Sequence, residues 1–176
     1  MNQGGTMSES SLSHAAGDFA PQRFDIQTLD DEIRVDGLCQ EFLKLFYCDL
    51  VECQGLSAEA ASALAYGADY FLREFVIPDR QENIFALRPD RVRHFAGNWY
   101  IVRTLEPNLV ELGSILRGVD AFYAFCLRQK KVSPALRDLI GRESADLLFY
   151  EARIKAFWEI SGDGFNAWDQ ACPLRD

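Results

Sequence analysis

The sequence predicts an all-α bundle of five to seven helices. Three observations lead there. Apolar residues recur at helical spacing over almost the whole chain from residue 39 onward. Ser, Pro and Gly punctuate the periodic runs at their starts and stops. No run alternates with the period of two that a strand needs, and no Gly-rich nucleotide fingerprint occurs.

Taken in order, residues 1–23 are rich in Gly, Ser, Ala and Gln without an apolar period and read as a flexible tail. Residues 24–36 set Asp25, Asp30, Asp31, Glu32 and Asp36 around scattered Phe24, Ile26, Leu29 and Ile33. This acidic stretch is expected to dock loosely ahead of the first firm helix. That helix lines up Cys39, Phe42, Leu43, Phe46, Leu50 and Cys53, and Gly55 stops it. Ser57 caps a second helix with the face Leu64, Ala68, Phe71, Leu72 and Phe75, which Pro78 ends. Pro89 opens a third, packed through Val92, Phe95, Ala96, Trp99 and Val102.

Pro107 starts the fourth and cleanest helix, with Leu109, Leu112, Leu116, Val119, Tyr123 and Cys126 in line and Ile115 and Phe122 beside them. Ser133-Pro134 caps and opens a fifth through Leu136, Leu139 and Ile140. Gly141 is a candidate break before Leu147, Tyr150, Ile154, Phe157 and Trp158 resume the period. Gly162-Asp163-Gly164 is a turn, and Phe165 with Trp168 suits a short last helix. The organisation is therefore a tail (1–23), an acidic helical segment (24–56), a four-helix domain (57–140) and a helical extension (141–176).

The 176 residues, 48% hydrophobic and 26% charged, exclude a disordered chain. A chain of this length buries roughly 70% of its unfolded surface and needs no metal to hold a core. No uncharged run approaches the ~20 residues of a spanning helix, so no membrane association is expected. The five cysteines are odd in number, form no CxxC pair and accompany only two histidines, as free thiols in a reducing compartment would. The first residues lack the basic start and apolar run of a signal peptide, and the expected location is the cytoplasm.

Catalytic templates find little support. His94 follows Asp90 by four residues, on one helical face that Cys126 could meet, yet that spacing specifies no nucleophilic site. The plainer reading makes His94 an exposed helix residue. Cys48-x4-Cys53 has no histidine near it, and Gly162–Asn166 lacks the alternating acids of a calcium loop. Trp99-Tyr100 and Phe122-Tyr123 stand at core spacing and read as packing. No catalytic residue, metal or cofactor is expected.

Charge says more. The net charge of −9 argues against a surface that binds nucleic acid everywhere. Residues 1–56 hold −7 of it, whereas residues 88–137 carry nine basic against four acidic groups. Arg103, Lys130 and Lys131 lie at helix C-termini, where the macrodipole favours cations. Arg117 is placed to pair with Asp120, and Arg91 and Arg93 project about 160° apart. On the fourth helix, Val110, Gly113, Arg117, Ala121, Ala124, Arg128 and Lys131 share the side opposite the apolar face. Small residues among cations suit close approach by a DNA groove, another helix or the acidic N-terminal segment of the same chain.

The run Ser57–Ile140 also carries Tyr66-x2-Asp69-Tyr70-Phe71-x3-Phe75, then Leu87-x-Pro89-x2-Val92-Arg93-x-Phe95. Leu112-x-Ser114-Ile115-Leu116-Arg117-x4-Phe122-Tyr123-x-Phe125 and Ser133-Pro134 follow. In these residues the run resembles the core-binding (SAM-like, N-terminal) domain of phage-integrase-type tyrosine recombinases. The resemblance implies a four-helix module that clamps one face of duplex DNA, with Arg93, Arg117, Arg128 and Lys131 as candidate contacts. No counterpart of the recombinase catalytic residues is expected in this sequence, where the 36 residues after Ile140 hold no histidine. The sequence thus supports a non-catalytic module with two readings. One is association with double-stranded DNA through the third and fourth helices; the other is a protein-interaction or homodimeric scaffold domain.

Overall fold

The computed structural model describes residues 19–172, so residues 1–18 of the expected flexible tail lie outside the described residues. Among the described residues there are seven helices and no strand, as the apolar period requires. They are α1 (Leu29–Cys48), α2 (Ala58–Asp69), α3 (91–103), α4 (Leu109–Arg128), α5 (Pro134–Ala145), α6 (Leu147–Trp158) and α7 (Phe165–Gln170).

The acidic segment docks firmly, which corrects the expectation of loose docking. Thr28 and Asp31 form a reciprocal capping box that starts α1 ten residues before its first strongly periodic position. Arg34 gathers Asp31 and the carbonyls of Arg23 and Asp25. Asn83 ties Pro21 and Asp25 to the loop after α2. Phe24 is fully buried, and Phe19 packs on Phe42 with ring centroids 5.2 Å apart. Residues 19–23 therefore belong to the folded body.

α2 crosses α4 with their backbones in contact. Gly67 lies against the backbone of Ile115, where a Cβ would fall 2.7 Å from the carbonyl oxygen. Gly118 lies against Leu64 and Ala68, where a Cβ would meet the Leu64 carbonyl and come within 2.9 Å of the Ala68 nitrogen. Backbone touches backbone on both sides, so neither position has room for a side chain. This contact aims Phe122 and Phe125 at α1, where Phe46 meets Phe122 edge-on at 5.4 Å and Phe42 meets Phe125 at 5.3 Å.

Three helical stretches widen into π turns: Asp49–Cys53 after α1, Tyr70–Val76 after α2 and Phe95–Trp99 inside α3. The last explains a difference from the expected packing of the third helix. An extra residue in the turn rotates the buried stripe, so Tyr100 and Ile101 enter the core while Val102 is 43% exposed. α3 is also enclosed on several sides, by Phe71 and Phe75 after α2, by Glu143 of α5 and by Phe149 of α6. For that reason His94, expected at the surface, is buried.

Helix starts follow the chain's capping chemistry with small shifts. Ser57 and Ser133 cap as expected, accepting from Ala60 and Leu136. Asn108, one residue past Pro107, caps α4. Pro89 does not open α3. Asp90 takes a left-handed conformation (φ 62°), and the Glu143 carboxylate of α5 accepts from the N–H groups of Asp90, Val92 and Arg93. One buried side chain thus satisfies the orphan donors of a helix 50 residues away. α5 runs through Gly141, and the break falls at Asp146.

Two predictions follow from this packing. Gly118→Ala is expected to lower unfolding stability by about 1–3 kcal/mol through overpacking. Gly37→Ala, in mid-helix with open space around it, is expected to raise stability by about 0.5–1 kcal/mol. Urea midpoints moving in opposite directions would check the pair. Glu143→Ala leaves one buried and two part-buried donors without an acceptor and is expected to cost about 1–3 kcal/mol, with Glu143→Gln milder. Urea unfolding monitored by far-ultraviolet circular dichroism measures both.

Candidate interaction surface

The four cations singled out in the sequence lie in different environments. Arg93 on α3 bonds Asp146 at 2.7 Å, and its guanidinium lies 4.9 Å from the Phe149 ring centroid. Arg128, near the end of α4, pairs with Asp49 in the π turn after α1. Lys131 donates to the Phe19 carbonyl at 2.7 Å, and partial burial lowers its pKa. Arg117 is exposed, and among the described residues no ion pair holds it. Asp120, its expected partner, is taken by Arg137 of α5 at 2.9 Å.

The pattern extends to the rest of the basic segment. Arg91 is buried in an ion pair with Glu82, which Arg88 also reaches, and Arg103 reaches Asp79. Seven of the nine basic groups between residues 88 and 137 thus bond to groups of the chain itself, Arg117 and Lys130 being the two others. Asp49 of the acidic segment and the Phe19 carbonyl reach the basic end of α4, where the Arg128 side chain stays 42% exposed. In the same way Asp36 of α1 holds Arg73, with contacts of 2.8 and 3.1 Å. The fourth helix has no continuous cationic face.

Apolar side chains are exposed at the start of α4, in the loop before it and on α6. Val110 is 85% exposed, Leu105 in the preceding loop 96% and Leu148 of α6 81%. Two open hollows flank a ridge made by Leu147 and Leu148. One, of about 600 Å³, lies between Pro107–Leu109 and the α6 residues Leu148, Ala152 and Ile154. The other, of about 520 Å³, lies over Gly113, with Leu116, Arg117, Gly141 and Ala145 around it. Gly113 makes the second hollow: a Cβ there would meet nothing closer than the Arg117 guanidinium at 3.9 Å. Sequence reasoning found Val110, Gly113 and Arg117 but missed the leucine ridge. Its signal was the adjacent pair Leu147-Leu148, because neighbours on a helix point about 100° apart and cannot both face one core.

The Asp90, His94 and Cys126 grouping does not assemble. His94 packs on Phe75, with ring centroids 5.7 Å apart, and its Nδ1 has no hydrogen-bond partner. Cys126 is buried between α1 and α4, where burial raises its thiol pKa well above the usual range. The described residues hold no cluster of metal-ligating side chains, and no helix is long and apolar enough to cross a membrane. Comparison of the chain with protein-family models, curated proteins and solved structures returns no match.

Burial, reinforced by the charges of Arg80 and Arg91 and only partly offset by Asp79 and Asp169, lowers the His94 pKa from 6.5 to about 4. The unfolded chain therefore takes up this proton first as pH falls. The His94 contribution is complete above pH 6.5, falls as pH drops toward about 4 and changes no further below that. The slope in that window is at most about 1.4 kcal/mol per pH unit. His94→Leu is expected to flatten it, measured as urea stability against pH.

Proposed function

We propose that the chain is a non-catalytic protein-interaction module that self-associates through the outer face of α4 and the start of α6. One observation carries the reading. Three of the four candidate phosphate contacts bond to the chain's own groups, while Val110, Leu105 and Leu148 are exposed and two hollows open beside the start of α6, one of them lined by Leu148. Exposed apolar residues gathered in one area mark interaction surfaces, whereas single ones scattered over a surface do not. A face that carries both a ridge and hollows can dock on its own copy about a twofold axis, each ridge filling the other's hollow.

The likeness to recombinase core-binding domains bears on this choice. The residues that carry it are mainly core residues, among them Phe71, Phe75, Phe95, Leu116, Phe122 and Phe125. Such a pattern speaks for the packing of four helices and leaves DNA contact to the surface cations. Function is argued from that surface, because one fold serves many roles.

Sedimentation velocity tests the reading. The wild type is expected to shift from monomer to dimer as concentration rises, and Val110→Asp with Leu148→Asp to stay monomeric with an unchanged helical spectrum. A wild type that remains monomeric at high concentration would overturn it. So would duplex binding at low salt that Arg117→Glu abolishes and that weakens linearly in log K against log salt, which would support the DNA reading.

A further inference from the structure

Two of the five cysteines, Cys48 and Cys53, are exposed free thiols, while Cys39, Cys126 and Cys172 are buried. In an α-helix, residues five apart project roughly 140° from one another at 3.6 residues per turn. Here the helix widens after Cys48 into the π turn Asp49–Cys53, with the Gln54 N–H bonding the Asp49 carbonyl at 3.0 Å. A π turn bonds residue i to i+5, so residues five apart lie nearer one another in projection than in an α-helix. Both cysteines line one hollow of about 220 Å³, together with Phe19, Phe42 and Phe125. Asp49, Glu52 and Lys131 complete its rim.

We propose that Cys48 and Cys53 form a dithiol site that a peroxide oxidises reversibly to an intrachain disulfide. One thiol sulfur attacks a peroxide oxygen; the O–O bond breaks, and the departing oxygen leaves as water, giving a sulfenic acid. The second sulfur attacks the first; the S–S bond forms, the S–O bond breaks, and a second water leaves. The two thiols lose two protons and two electrons in all, and the peroxide is reduced to two waters. In a reducing compartment such a bond is transient and reversed by thiol exchange, unlike a structural disulfide. The bond closes across the turn that carries Asp49, the residue holding Arg128. The site stands apart from the α4–α6 face and does not depend on its role.

Native thiol titration, intact mass and peptide mapping on the full chain test the site. The reduced wild type is expected to show two fast-reacting thiols. After hydrogen peroxide both disappear, the monomer loses two hydrogen atoms, the map links Cys48 to Cys53, and dithiothreitol restores both. Cys48→Ser and Cys53→Ser are each expected to keep one fast thiol and to gain oxygen under peroxide. Oxygen adducts accumulating on the wild type in place of the link, or a map joining other cysteines or separate chains, would overturn the proposal.

Discussion

Two glycines, Gly67 and Gly118, let α2 and α4 approach until their backbones touch, and the rest of the bundle is arranged around that crossing. With α4 so near α2, its aromatic side reaches Phe42 and Phe46 of α1 and buries them among Phe122 and Phe125. The same crossing leaves Val110 and Arg117 of α4 in solvent. A side chain at either glycine would push the helices apart, loosening the aromatic core and moving the exposed face together.

Charges near this core act as joints between distant parts of the chain. Glu143 accepts from the start of α3, and burial raises its pKa while bonds from Asp90, Arg93 and Val92 oppose the rise. Arg153 lies 3.9 Å from the Trp168 ring centroid and donates to the carbonyls of Gly97 and Trp168, while the Trp168 indole donates back to the Arg153 carbonyl. These contacts lock α6 and α7 onto α3. Removing one partner from such a joint leaves a buried group unsatisfied, so each constrains the fold more tightly than its net stabilisation suggests. Like Arg128 and Arg93, these side chains face the protein's own groups.

The fold was legible where a single helix decides the outcome. The α4 stripe from Leu112 to Cys126 lies in the core, and Ser57, Ser133 and Gly55 mark ends as their chemistry dictates. It was less legible where two elements share a residue's fate. His94 was read as exposed because the period of its own helix puts it off the stripe, but α3 is covered on more than one side. Val102 left the core because a π turn, which a 3.6-residue period does not anticipate, rotated the stripe. Among the candidate site residues, Arg117 and Arg128 are exposed, and Arg117 has no ion-pair partner among the described residues. Arg93, Arg128 and Lys131 found partners in Asp146, Asp49 and the Phe19 carbonyl. The last two are separated from them by 79 and 112 residues of chain.

By itself the sequence determined an all-α chain, the faces its long helices bury and the acidic character of its first 56 residues. Those properties follow from local periodicity and composition. Tertiary structure alone decided which cations remain available and which apolar residues stay uncovered. Ion pairs and hollows form between elements far apart in the chain, so their partners are set by how α1, α4 and α6 pack. The same packing brought Asp49 to Arg128 at the basic end of α4 and left Val110 and Arg117 of that helix exposed.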